Sequence, residues 1–316
     1  MLNNLQSKLP ELSSLLHAWI DSSKQEASKG KVATYIPELA SAQKDALGIC
    51  FVHKDGQSLE AGDSNLIFTL QSISKVFTLI LALMDHDEQF VFSKVGMEPT
   101  GDSFNSMLKL ELVQPGIPFN PLINAGAIAI SSLIKGDTQQ HKLDRVLKFF
   151  CLLANNDSLQ YNKAVYESEL KTADLNRSIA YFLKDKGIFD QHVEEVLEVY
   201  FHHCSINVTC KDLANMALVL AQNGKHPATG EQIIPKRYAQ IAKSFMVTCG
   251  MYNASGEFAI NVGLPAKSGV AGGILTFIPN EIGIGIVGPA LTTKGNSVSG
   301  VHLLETLSNH YDLNMF

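Results

Sequence analysis

Strand-like sequence lies near both ends of this 316-residue chain, and about 180 mostly helical residues separate the two blocks. The first block is "ALGICFVH" at 46–53, followed by Asp55-Gly56 as a hairpin turn and a short return strand through Leu59. The second, after Gly256, comprises "EFAINVGL", "GILTFI" and "IGIGIVG", which read as strands, and a last helix is expected over 298–309. Two such blocks most simply form one sheet, with the middle inserted as a helical lobe. The expectation is a mixed α/β (α+β) fold of one catalytic domain, with a sheet lobe over 1–70 and 245–316 and a mostly helical lobe over 71–244. Ligand sites tend to form in the cleft between such lobes.

The middle reads as a series of helices. Leu2, Leu5, Leu9, Leu12, Leu15, Leu16 and Trp19 already form a helical stripe before the first strand, interrupted near Pro10. Residues 73–84 are helical, and 96–121 form a loop rich in glycine and proline. Asn120-Pro121 reads as an N-cap with proline at the first helical position, launching "LINAGAIAISSLI". Helices follow at 141–154, 174–186 and 190–201, then one from Thr209, where Thr209-Cys210-Lys211-Asp212 resembles a capping box. "PKRYAQIAKSFMVTCG" ends the block.

Composition bounds the function. Hydrophobic content of 46% and charged content of 18% describe an ordered globular protein. A net charge of −6, with no basic run interleaved with aromatics, argues against nucleic-acid binding. The longest apolar run, 76–84, is too short to span a bilayer, and the N-terminal stretch is too polar for a signal peptide. Five scattered cysteines without a CxxC pair fit reduced thiols better than disulfides or zinc. A soluble, cytoplasmic protein without a membrane partner is expected.

Within the apolar helix at 73–84 and the residues leading into it lies "QSISK", with Ser72 and Lys75 three apart and so on one helical face. A lysine near a helix N-terminus opposes the helix dipole, which makes this a poor place for a purely structural cation. The same field, with burial by Phe68, Phe77 and Leu79, would lower the pKa of the amine. A neutral amine beside a hydroxyl is what a serine nucleophile needs as a base. Read blandly, Ser72 caps a helix and Lys75 snorkels to solvent, and SxxK alone is a common string. Its company is "GLPAKSGVAGG" at 263–273, whose Lys267-Ser268-Gly269 resembles the K-[ST]-G element that accompanies SxxK in penicillin-recognising enzymes. Gly269, Gly272 and Gly273 would let a substrate approach the backbone there.

Taken together, "YIPELA" (35–40), "LQSISKVF" (70–77), "FNPLINAGAI" (119–128), "HCSINVTC" (203–210) and "VGLPAKSGVAGGI" (262–274) closely resemble the serine-dependent glutaminases. These are amidohydrolases of β-lactamase-like fold that convert L-glutamine to L-glutamate and ammonia. The resemblance runs from residue 35 past "GNSVSG" (295–300) and implies the short bacterial form. It implies an antiparallel sheet flanked by helices, Ser72 as nucleophile, Lys75 as general base and Tyr252 as proton shuttle. The N–H groups of Ser72 and Val270 are the implied oxyanion hole. Tyr35, Gln71, Asn124, Glu169, Asn176 and Tyr200 are implied to hold L-glutamine, Glu169 against the α-ammonium. No cofactor or metal is implied, and a homodimer or homotetramer is. In "SELKTADLN" the chain has Ala173 and Leu175 where the family pattern often carries Gly and Arg. Glu169 and Asn176 keep a seven-residue spacing, which would put them on one face of a helix.

Other signals carry less. His202-His203 lacks a metal-ligand spacing such as HExxH, "GVAGG" is not a dinucleotide fingerprint, and the sequon Asn207-Val208-Thr209 has no use in a cytosolic protein. Ser205-Ile206-Asn207 offers an SxN element, which keeps a penicillin-binding-protein-like or esterase-type hydrolase as the rival reading. The context around it belongs to the glutaminase resemblance instead. A binding module that lost turnover is a further alternative, but Ser72, Lys75 and Tyr252 are all present.

Overall fold

The structure is a computed structural model and describes residues 5–101, 105–106 and 116–316. Leu2 of the leucine stripe and most of the glycine- and proline-rich loop expected over 96–121 lie outside the described residues. The strands are β1 (Gly48–His53), β2 (Ser58–Gly62), β3 (Phe68–Thr69), β4 (Asn207–Val208), β5 (Ala266–Ser268), β6 (Gly273–Ile278) and β7 (Ile282–Val287). The helices are α1 (Leu5–Gln25), α2 (Ser74–Asp85), α3 (Glu88–Lys94), α4 (Asn124–Ser132), α5 (Gln139–Ala154), α6 (Lys163–Lys171), α7 (Asp174–Asp185), α8 (Val193–Cys204), α9 (Cys210–Ala221), α10 (Lys236–Cys249), α11 (Ser255–Asn261) and α12 (Val298–Tyr311).

The two strand blocks meet in one antiparallel sheet of order β2-β1-β7-β6-β5. Its seam pairs β1 with β7 from Gly48↔Val287 to His53↔Ile282, so residues more than 200 apart in sequence share a ladder. Both faces of the central strands are covered, which is why β1, β6 and β7 are buried along their whole length, while the edge strand β2 carries exposed polar residues. Ile49, Phe51, Ile274, Ile284 and Ile286 pack on one face with Leu12 and Leu16 of α1 and Leu303 and Leu307 of α12. Cys50, Val52, Leu275 and Phe277 pack on the other with Leu213, Ala214 and Ala217 of α9. The "IGIG" of β7 follows from this geometry. A Cβ on Gly283 or Gly285 would land on the backbone carbonyls of Ala214 or Cys210, so only glycine lets α9 lie this close to the sheet. A further cluster joins α4, α7 and α8 through Ile128, Ile179, Leu183, Val196, Leu197 and Phe201.

Local chemistry sets several boundaries. Thr209 and Asp212 form a reciprocal capping box at the start of α9, as the sequence suggests. Three expectations are corrected. "EFAINVGL" is not a strand: its first half lies in α11, with Phe258 and Val262 buried four residues apart and Ile260 exposed at 77%. A strand would have put all three on one face. Asn120 does not cap α4; its Oδ1 accepts the N–H groups of Leu122 and Ile123 in a turn, and the helix begins at Asn124. Glu169 and Asn176 do not share a helix, because the chain breaks between α6 and α7 at Thr172 and Ala173.

Candidate active site

After β3 the chain makes a 3-10 turn over Gln71–Ile73 and enters α2. Gln71 is buried and has a φ of 49°, a left-handed backbone that a non-glycine residue adopts only when its surroundings hold it there. The turn delivers Ser72, 8% exposed, just ahead of Lys75, which has no exposed surface at all. Burial lowers the Lys75 amine to about 8, with Cys204 and Glu169 pulling the other way. Its Nζ donates to Asn124 Oδ1 at 2.6 Å and to the Leu122 carbonyl at 3.5 Å, and it lies 5.8 Å from the centre of the Tyr200 ring. A neutral amine has two N–H bonds and one lone pair. With both N–H bonds so placed, the lone pair is the part left to take a proton.

The turn after β5 packs against the nucleophile turn. A Cβ on Gly269 would stand 2.7 Å from the Leu70 carbonyl and 3.5 Å from Gln71 Cβ, so glycine is what allows the approach. Val270, next in the chain, is buried at this junction. Tyr252 reaches the same place from the 3-10 turn Tyr252–Ala254, and its own φ is 53°. Its hydroxyl donates to the Ser268 carbonyl at 3.0 Å. Burial pushes the phenol up, and a hydrogen bond with Ser72 pulls it back. Because the phenol proton goes to Ser268, the Ser72 hydroxyl is the donor in that second bond. Lys267 is also fully buried; its Nζ donates to the Ser268 carbonyl at 2.6 Å and sits 4.3 Å over the Tyr252 ring.

On the other side lie groups suited to a free amino acid. Burial raises the Glu169 carboxyl to about 8, with a hydrogen bond from Gln71 and the charge of Lys75 opposing. Its Oε2 is buried without a hydrogen-bond partner. Asn124 Nδ2 donates to Asn176 Oδ1 at 3.1 Å, so the break between α6 and α7 still brings Asn176 to the site. Tyr200 is buried in α8, and its phenol is raised by burial, then by Cys204 and Glu169. Tyr35 leaves 55% of its surface open, but its hydroxyl end is crowded. That burial raises its phenol, as do Tyr252 and Glu169.

The structure thus gathers Tyr35, Gln71, Ser72, Lys75, Asn124, Glu169, Asn176, Tyr200, Tyr252 and Val270 around one centre. It does not form a hydrogen bond between Ser72 and Lys75 among the described residues; Ser72 turns to Tyr252 and Lys75 to Asn124. The polar groups of the SxN element have local partners. Ser205 Oγ donates to the His202 carbonyl, and Asn207 Oδ1 accepts from Asn162. Sequence reasoning passed over His203, which lies buried under the nucleophile turn. Its signals were its place at the head of "HCSINVTC" and its neighbour Tyr200 three residues earlier. Among the described residues no group of three or more His, Cys, Asp or Glu is arranged to hold a metal, and no helix is long and apolar enough to cross a membrane.

The chain is an enzyme of the amidohydrolase class, as its match to curated glutaminases shows. The glutaminase family model matches residues 30–316, and the chain belongs to the glutaminase family. It is 55% identical over 297 residues to the glutaminase of Alkaliphilus metalliredigens, covering 94% of this chain and 97% of that one. It is 52% identical over 306 residues to glutaminase 1 of Bacillus anthracis, covering 97% and 96%. Among solved structures, the probable glutaminase of Bacillus subtilis superposes with a TM-score of 0.91 at 41% identity, over 97% of this chain and 98% of that one. A Bacillus subtilis glutaminase in covalent complex with 5-oxo-L-norleucine, formed from 6-diazo-5-oxo-L-norleucine, superposes with a TM-score of 0.88 at 40% identity, over 96% and 99%.

Proposed function

We propose that this protein hydrolyses L-glutamine to L-glutamate and ammonia through a γ-glutamyl ester on Ser72. The observation that carries the reading is the pairing of a fully buried lysine of lowered pKa with a serine three residues before it, facing a buried carboxyl that has an unpartnered oxygen. The covalent complex of the Bacillus subtilis relative with a glutamine-like ketone supports a nucleophile in the family.

In this scheme Glu169 ionises against the substrate ammonium, and the free amide hydrogens of Asn176 and the phenols of Tyr35 and Tyr200 hold the carboxylate end. Neutral Lys75 takes the Ser72 proton as Oγ attacks the side-chain carbonyl carbon. The resulting oxyanion sits against the N–H groups of Ser72 and Val270, each worth roughly 3 kcal/mol of barrier. The C–N bond then breaks, and the proton returns through Lys75 and Tyr252 to the departing nitrogen, which leaves as ammonia. Water, deprotonated by the same pair, attacks the ester, the C–Oγ bond breaks, and glutamate and the Ser72 hydroxyl are restored. No cofactor takes part. The fold is read as β-lactamase-like, with the sheet lobe over 1–70 and 245–316 and the helical lobe over 71–244. The working form is read as a cytoplasmic homodimer or homotetramer.

Ammonia release from glutamine, with asparagine and a chromogenic β-lactam alongside, tests the substrate. Ser72→Ala should lose turnover and labelling by 6-diazo-5-oxo-L-norleucine while still binding glutamine; an active variant removes Ser72 from the nucleophile role.

A further inference from the structure

The imidazole of His203 is fully buried beneath the nucleophile turn, and no step of the proposed reaction uses it. Its Nδ1 lies 2.7 Å from Ser74 Oγ and its Nε2 lies 3.2 Å from Ser131 Oγ. Ser74 Oγ lies 2.6 Å from the carbonyl of Gln71, the residue whose left-handed backbone delivers Ser72. Ser131 belongs to α4, the helix that opens with the lysine's partner Asn124, and His203 belongs to α8, which carries Tyr200. One ring therefore links the nucleophile turn to α4 and α8, the helices that carry Asn124 and Tyr200.

Counting protons leaves the ring two ways to act. Burial keeps the imidazole neutral, so it carries a single N–H. Ser74 has one hydroxyl proton and two acceptors within reach, the Gln71 carbonyl and His203 Nδ1. With the ring proton on Nε2, the ring donates to Ser131 and Ser131 to the Ala127 carbonyl, but Ser74 must then donate to Nδ1 and the Gln71 carbonyl loses the hydroxyl. With the proton on Nδ1, the ring donates to Ser74 and Ser74 donates to Gln71, while Ser131 gives its one proton either to Nε2 or to the Ala127 carbonyl 2.8 Å away. Only the second arrangement clamps the turn, and it uses the shortest contact of the set. The weak contact of Ser74 with Cys204 Sγ, at 3.9 Å, does not compete.

We propose that His203, protonated on Nδ1, is a positioning residue that acts through Ser74 to hold the left-handed Gln71 turn and so aim the Ser72 hydroxyl. It touches neither substrate nor reacting atoms. The inference rests on Ser72 being the nucleophile, but its test separates the two: activity in Ser72→Ala would overturn that reading, whereas the tautomer and the Ser74 variant report on the turn itself.

Ser74→Ala removes one oxygen and should fold, with an unchanged far-ultraviolet spectrum. Its kcat should fall about 10- to 100-fold with KM changed less than about threefold, because misaiming a reacting group by about 1 Å costs that much. His203→Phe should lose a similar factor, and His203→Asn, whose amide N–H can replace Nδ1–H, should recover about tenfold of it. Labelling by 6-diazo-5-oxo-L-norleucine should slow in parallel with kcat. Nitrogen-15 NMR of the unmodified protein should show His203 protonated at Nδ1 and bare at Nε2. A folded Ser74→Ala protein with kcat within about twofold of the parent, or a loss confined to KM, overturns the proposal. So does an Nε2–H tautomer. If His203→Phe fails to fold, Ser74→Ala and the spectrum still decide.

Discussion

Replacing Lys75 by methionine keeps a long unbranched side chain in the core and deletes the ionisable amine. Burial has taken that amine from 10.5 to about 8. Its folded pKa lies below its unfolded one, so between these values the unfolded chain binds the extra proton and stability rises with pH. Below about pH 8 the folded state carries the whole penalty, about 3.4 kcal/mol at ~1.36 kcal/mol per tenfold. Methionine removes that penalty but leaves Asn124 Oδ1 without its donor, at a cost of roughly 1–3 kcal/mol. The variant should therefore be more stable than the parent by about 0.5–2.5 kcal/mol near pH 7, and inactive. At about pH 9.5 the parent's penalty has shrunk to roughly 1.4 kcal/mol, so the difference between the two proteins should close by about 2 kcal/mol. Urea unfolding of both proteins at the two pH values in a Glu169→Gln background, followed by circular dichroism, measures this; the carboxyl coupled to Lys75 is then absent from both, and the remaining common groups largely cancel. A difference that stays constant between the two pH values would refute a desolvated, titrating amine in the core.

Three other outcomes are expected. Glu169→Gln should lower kcat/KM about 100-fold, mostly through KM, since roughly 3 kcal/mol is lost when a buried charge loses its partner; calorimetric binding of glutamine that is unchanged would remove Glu169 from the ammonium contact. Gly269→Ala should lower kcat about tenfold or more, because its Cβ would press on the Leu70 carbonyl 2.7 Å away and move Val270 off the oxyanion; near-normal kcat in folded protein would separate that turn from the chemistry. Gly285→Ala should destabilise by about 1–3 kcal/mol or more, through overpacking against α9, with the folded fraction retaining its specific activity; a midpoint of thermal unfolding equal to the parent's would contradict the close approach of α9 to β7.

Features that depend on local chemistry were legible in the chain. The capping box at Thr209 needs only four residues, and "GILTFI" and "IGIGIV" are apolar runs bounded by turns, so their strands could be read before any partner was known. The glycines of "AKSGVAGG" suggested room for a substrate, whereas Gly269 stands against the Leu70 carbonyl and Gly272 against that of Gly288. What depends on distant neighbours was not legible. The alternation Phe258, Ile260, Val262 suits a strand as well as a helix until burial shows that Ile260 faces solvent. The break at Thr172 and Ala173 has no glycine or proline to announce it. No residue type announces the left-handed backbone of Gln71, a buried residue with the Gly269 turn packed close against it. His203 read as an unremarkable member of a histidine pair because its partners lie 129 and 72 residues away.

The electrostatics of the site give a reason for it to hold an acid and a base that are both drawn toward neutrality. The same burial raises Glu169 and lowers Lys75, and each one's charge would pull the other back toward its ionised form. An ionised Glu169 standing alone would favour protonated Lys75, which has no lone pair to take the serine proton. On the proposed reading, the substrate's ammonium arrives opposite Glu169 and cancels its charge as that charge forms. Lys75 then keeps its low affinity for protons at the moment the amide carbonyl is in place. The amino group of glutamine is in this sense tied to the rate as well as to the affinity, through a carboxyl that never touches the bond being broken.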